Sequence, residues 1–199
     1  MDNNNRLILP TERQPTRADA LKNRALLLET AQRLFATHED GVNGVSMSDI
    51  ADAAGVGKGT LYRHFRNKGE LCHALLDEDM RDLQERFLRR MRMQATPLQN
   101  LEWFLEQVVY FVTRNEQLLY PKAPDTTVNI LQHPAHLWWR QTIRGLLQQL
   151  KPAGDLDYLS DVFYVMIDVN TLRFQRHVLG YDLPRIIEGL HTLLHSVAA

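Results

Sequence analysis

The chain has 199 residues, 44% hydrophobic and 24% charged, the composition of an ordinary globular protein with one large domain or two small ones. A formal net charge of −1 excludes indiscriminate coating of nucleic acid, so affinity for a polyanion has to come from a local patch. One cysteine, Cys72, excludes an internal disulfide framework, no apolar run reaches membrane-spanning length, and no stretch reads as a signal peptide; a cytoplasmic protein is expected.

Residues 1–20, with Asn3-Asn4-Asn5, Pro10 and Pro15, lack periodicity and read as a mobile arm, made mildly basic by Arg6, Arg13 and Arg17. A first helix is expected from about Ala20 to His38, with Leu27, Ala31, Leu34 and Phe35 at helical spacing. The stretch Ser46–Lys68, SMSDIADAAGVGKGTLYRHFRNK, then reads as two short helices joined by a tight turn. Ser46 suits the first N-cap, with Asp49 at the positive end of that helix. Ile50, Ala51 and Ala54 form a small apolar face, and Gly55 stands where a left-handed C-cap costs glycine least. Leu61 and Phe65, four residues apart, give the second helix its buried side. Lys58, Thr60, Tyr62, Arg63 and His64 are left pointing elsewhere. From Lys58 to Lys68 there are four Lys or Arg residues and no acid. Hydroxyl, phenol, imidazole and guanidinium groups on one acid-free face are the donors that contact phosphates and base edges.

This stretch resembles the helix-turn-helix of the tetracycline-repressor (TetR) family of bacterial transcription regulators. The resemblance rests on Ile50-Ala51, Ala54-Gly55-Val56, Gly59-Thr60-Leu61-Tyr62, Phe65, Asn67-Lys68 and Leu71, and extends back through Ala31, Leu34-Phe35 and Gly41. It implies that Lys58, Thr60, Tyr62 and His64 face DNA from a recognition helix and that Lys68 contacts a phosphate. The connection from His38 to Gly44, HEDGVNG, is longer and more acidic than is usual in the family.

Asn67 suits the cap of a long helix from Lys68 to about Met93, whose far half carries Arg81, Arg86, Arg89, Arg90 and Arg92. Thr96-Pro97 opens the next, widely apolar through Leu101, Phe104, Leu105, Val108, Val109, Phe111 and Val112. A loop at 119–124 and a short helix at about 125–131 follow. Pro134 opens a helix ended by Pro152 and Gly154, and a single long helix is expected from Asp155 to about Leu179, closed by Gly180. The last runs from Leu183 to Val197. About nine helices and no strands make an all-α chain: arm 1–20, DNA-binding head 21–67, and effector-binding and dimerisation domain 68–199. In the resembled family the last two helices pair with their copy on a second subunit. Leu190 and Leu194 are read as seam residues on that basis.

Candidate linings of an effector pocket are Trp103, Phe104, Phe111, Trp138, Trp139, Phe163, Met166 and Asp168, with Arg173 as an orienting group. Adjacent tryptophans lie about 100° apart on a helix, so one of Trp138 and Trp139 is expected inside and the other at a rim or interface. Asp168, amid apolar neighbours, reads as a buried acid needing a partner, either an arginine such as Arg173 across the dimer seam or a cationic or hydroxyl-bearing ligand. His191 and His195 have metal-ligand spacing, but no carboxylate is evident nearby, and His133 and His136 flank a proline; no metal or cofactor is expected. No catalytic motif is present, and GVGKGT lacks the spacing of a phosphate loop.

The expectation is a regulator, not an enzyme. A homodimer holds a palindromic operator and is released by an apolar or aromatic small molecule, with no membrane partner. The competing readings are an enzyme or carrier that contains a helix-turn-helix, and a DNA-binding dimer without an effector.

Overall fold

The computed structural model describes residues 16–119 and 134–198. Those residues hold ten α-helices and no strand. In chain order they are α1 (Arg17–Thr37), α2 (Met47–Ala53), α3 (Lys58–His64), α4 (Lys68–Arg90), α5 (Pro97–Arg114) and α6 (Glu116–Leu119). After the undescribed residues come α7 (Pro134–Leu150), α8 (Leu156–Met166), α9 (Val169–Arg173) with a π-helical turn at Phe174–Val178, and α10 (Leu183–Ala198). The expected arm lies outside the described residues except for its end, as do the loop and short helix expected between 120 and 131.

Side-chain caps set most of these boundaries. Ser46 and Asp49 form a capping box on α2, Thr96 and Gln99 form one on α5, and Asn67 accepts from the Glu70 amide at 2.8 Å to start α4. A further box, Thr16 with Asp19, starts α1 at Arg17, three residues before the expected Ala20. Gly55 has φ +66°, the left-handed conformation the turn between α2 and α3 demands.

Two cores form. Leu27, Leu28, Ala31, Ile50, Ala51, Leu61, Phe65 and Leu71 belong to the head; Leu83, Leu101, Phe104, Val108, Trp139, Ile143, Phe163 and Leu194 belong to the body. The division falls inside α4: Leu75 packs in the head and Leu76 in the body. The α4 helix is thus a rod that anchors both cores. Within the body, α5 lies against α7, α9 and α10, while α8 lies along α7. Arg140 pairs with Asp161, and Arg144 with Asp157 at 2.6 Å, tying α7 to α8. Both aspartates are held below the ordinary carboxylate range, first by these hydrogen bonds.

The single helix expected from Asp155 to Leu179 is broken. Asp168 is not a buried acid in mid-helix; it is the N-cap of α9, accepting from the Asn170 amide at 2.9 Å and from Asn170 Nδ2 at 3.0 Å. A short acceptor side chain competes with helix propagation, and here it restarts the helix. Within the chain, Arg173 pairs with Glu116 on α6, an element the apolar pattern did not announce.

Candidate nucleic-acid interface and ligand domain

The α3 helix is seven residues long and cannot hold itself together, so the head core holds it. Leu61 and Phe65 are almost fully buried beneath it, while Ala51 on α2, with no exposed surface, lets the short helices come close. Seated this way, α3 turns Lys58, Tyr62 and Arg63 outward, with Tyr62 50% exposed, and leaves Thr60 and His64 half-buried. Arg63 Nη2 donates to Thr60 Oγ1 at 3.0 Å, which steadies the guanidinium one turn along the helix. The His64 imidazole titrates below its ordinary value, through desolvation first and then the charges of Arg63 and Arg24. Arg24 lies over the Phe65 ring, 5.1 Å from its centroid.

Lys68 is half-buried, and its Nζ donates to the Val45 carbonyl at 2.7 Å, fastening the start of α4 to the connection before α2. An ammonium carries three donors, so this bond leaves two. Cys72, one turn further on, packs against the head core, and burial pushes its thiol up to about 11. Such a thiol stays protonated and unreactive at neutral pH.

The residues predicted to line a pocket divide into two sets. Phe104, Phe111, Trp139 and Phe163 are closed within the body core, with Phe111 and Trp139 edge to face at 5.4 Å. Trp138 is partly buried and meets Phe87 and Phe104 edge-on, at 5.8 and 5.4 Å. Phe87 itself, a residue of α4 absent from the predicted lining, lies 5.3 Å from Phe104. Met166 lines a different groove, shared with Gln175, Tyr181, Ile186, Gly189 and Leu193. Trp103 packs at the edge of the core.

Two sequence expectations need correction. Leu190 and Leu194, read as seam residues, are buried in their own body core. The exposed apolar side chains of this end are instead Tyr158, Val165, Phe174, Val178 and Leu179. His195, expected to have no carboxylate nearby, is hydrogen-bonded through Nε2 to Glu102 of α5, a contact across 93 residues that spacing cannot announce. No group of three potential metal ligands forms among the described residues. His133 and the side chain of His136 lie outside them.

Residues 27–75, the span that holds α2, α3 and the start of α4, match the profile of the bacterial regulatory proteins of the tetR family. Through this span the chain is similar to the regulators of the TetR family. An HTH-type transcriptional regulator of Staphylococcus aureus (strain bovine RF122 / ET3-1) is 34% identical over 104 residues, 52% of this chain and 55% of that protein. The chain therefore spans about half the length of this curated relative. Among solved structures, a protein from Saccharomonospora viridis described as a transcriptional regulator, in complex with choline, superposes with a TM-score of 0.72 at 19% identity, covering 88% of this chain and 96% of that one. A TetR/AcrR-family regulator from Thermobifida fusca superposes with a TM-score of 0.66 at 19% identity, covering 87% and 96%. These likenesses carry the TetR-family fold through the body, where the family profile does not reach. The family and the curated relative are described as regulators, not enzymes.

Proposed function

We propose that this protein is a ligand-responsive, sequence-specific transcription regulator that holds a palindromic operator as a homodimer and lets go when a small molecule binds the body. The observation that carries the reading is the outer face of α3: Lys58, Tyr62 and Arg63 exposed, Thr60 and His64 beside them, no acid from 58 to 68, on a helix whose other side is seated in a core. In a chain of net charge −1 that face is a local cationic exception. Lys68, with two donors left, is assigned to a phosphate at the rim. The test is binding to palindromes selected from random DNA at several salt concentrations. Displaced counterions give log affinity a steep negative slope against log salt. A slope near zero returns the protein to the class of carriers or enzymes.

Two copies are required because one seven-residue recognition helix reads only a half-site. The exposed apolar residues Val165, Phe174, Val178 and Leu179 and the groove along α10 are assigned to the seam between copies. Two buried polar atoms near this end, Gln175 Oε1 and His191 Nε2, have no hydrogen-bond partner among the described residues, which suits a surface completed by a second chain.

For the effector, the reading is an apolar or aromatic molecule that enters beside the partly buried Trp138 and parts it from Phe87 and Phe104. The closed aromatic residues Phe111, Trp139 and Phe163 form the wall behind. Met166, Asp168 and Arg173 drop out of the lining, being taken up by the α10 groove, the α9 cap and Glu116. The choline complex of the S. viridis neighbour supports treating the body as a small-molecule receptor. Binding is read by tryptophan fluorescence and by a rise in Tm through mass action.

A further inference from the structure

The three residues that end α5 and start α6 each reach a different part of the molecule. Asn115, 4% exposed, donates through Nδ2 to Asp79 on the rod α4 at 2.8 Å and to the Phe111 carbonyl at 3.1 Å. Glu116, its side chain 16% exposed, receives two guanidinium groups and an imidazole from the chain beyond α8: Arg173, Arg176 at 2.8 Å, and His177 Nε2 at 3.0 Å. Gln117 Oε1 accepts the Val42 amide at 3.1 Å, in the connection between α1 and α2. Gly41, next to it, has φ +53°, and a Cβ there would overlap the Gln117 amide, so the head turn is shaped to admit this side chain. Leu118 then packs against both cores.

We infer that Asn115, Glu116 and Gln117 form a clamp that sets the posture of the head on the body, making Glu116 and Gln117 positioning residues for operator binding although neither sits on the α3 face. The inference rests on the DNA-binding reading above. The physical argument is that of a lever. A head joined to its body only by a rod can still rotate and bend about that rod, and two such heads must place their recognition helices about one DNA turn, roughly 34–36 Å, apart. A second tie at a distance from the rod removes that freedom. The Gln117–Val42 bond is this tie, and Glu116 fixes the segment that carries it to the helix end bearing the proposed seam. A carboxylate held by two guanidinium groups is the strong, geometrically demanding form of such a link.

The test measures affinity by fluorescence anisotropy on a palindrome selected by the wild type, and on versions whose half-sites are moved one or two base pairs closer or further apart. Tm and sedimentation are recorded for every variant. The wild type prefers one spacing. Gln117→Ala is expected to lose about tenfold at that spacing and little at the others, flattening the preference, with Glu116→Gln flattening it less. Tyr62→Ala serves as the contrast, losing affinity in parallel at all spacings. Gln117→Met, which keeps the side-chain length and removes the acceptor, takes the place of the alanine variant if that one unfolds. Glu116 and Gln117 variants that keep the wild-type spacing profile, or fall in parallel as Tyr62→Ala does, overturn the clamp. A wild type that selects no palindrome overturns the DNA-binding reading itself, and the clamp with it.

Discussion

Among the described residues, two of the surfaces left open by the cores are opposite in kind. The outer face of α3 offers donors and positive charge: Lys58, Tyr62, Arg63 and the half-buried His64. The end formed by α8, α9 and the π-helical turn offers the apolar side chains Tyr158, Val165, Phe174, Val178 and Leu179, on elements that also carry the paired charges Asp157, Asp161, Arg173 and Arg176. What differs is the solvent each surface is made for. A charged face remains content in water until a polyanion displaces the counterions, whereas exposed apolar side chains carry a standing cost that a second chain removes. The first surface therefore promises salt-dependent recognition, and the second a constitutive partner.

The sharpest break is at the apolar end. Val165→Asp or Phe174→Glu should turn dimers into monomers at micromolar concentration, since an unpaired charge in a closed apolar seam costs several kcal/mol, roughly a hundredfold or more in dimer affinity. Sedimentation reads this directly, and operator affinity should collapse alongside because single half-sites bind weakly. Neither side chain supports its own core, so Tm referred to the monomer should hold. A variant that remains dimeric refutes the seam.

At the charged end, Tyr62→Ala and Arg63→Ala should each weaken operator binding by about ten- to a hundredfold, corresponding to about 1–3 kcal/mol, with no change of fold. Lys58→Ala should lower the steepness of the salt dependence by about one unit. Lys68→Ala tests two roles together: it removes a bond to the Val45 carbonyl, costing about 0.5–1.5 kcal/mol of stability, and it removes the assigned phosphate contact. Wild-type affinity in the Lys68 variant, alongside a lower Tm, would leave that lysine a structural brace only.

The same contrast explains what the chain disclosed in advance. The head was legible because its determinants are local. Ser46 caps toward Asp49, Gly55 turns the chain, and Leu61 and Phe65 share a face four residues apart; each relation spans less than two turns. The body's determinants are distant. Nothing near Glu116 announces Arg173, Arg176 and His177, and nothing near Glu102 announces His195. Periodicity also blurred burial into function. Leu190 and Leu194 keep the same spacing whether they face a partner or, as here, their own core. Asp168 misled for a related reason: its apolar neighbours suggested an unbroken helix, yet its carboxylate does better as a cap. The one local sign of the clamp was Gly41, whose left-handed φ marks a turn that something must approach closely.

That glycine gives an intermediate test. Gly41→Ala should destabilise by about 1–3 kcal/mol, since alanine is strained at positive φ and its Cβ meets the Gln117 amide. Adding Gln117→Ala removes the second of these causes and leaves the first. The double variant should be less destabilised than the sum of the singles, and strict additivity in denaturant melts would show that the two residues do not meet.

The smallest expected effect concerns His64, and its sign distinguishes a DNA face from a solvated one. In the free protein its pKa is lowered by desolvation, Arg63 and Arg24, so the ring is neutral at pH 7. The unfolded chain takes up the proton first as pH falls, so stability contributed by the neutral ring is present above about 6.5 and is lost as pH drops through the lower folded value. A phosphate brought beside the ring acts oppositely and raises its pKa in the complex. Protonation is then linked to binding, and operator affinity should grow by about two- to fivefold between pH 7.5 and 6, while the free protein becomes slightly less stable. His64→Gln should flatten the pH dependence of affinity while retaining a side chain that can hydrogen-bond a base edge. If the wild type shows no such rise, or the glutamine variant keeps it, the imidazole does not stand beside the phosphate backbone, and α3 enters the groove by the Lys58 and Tyr62 side of its outer face.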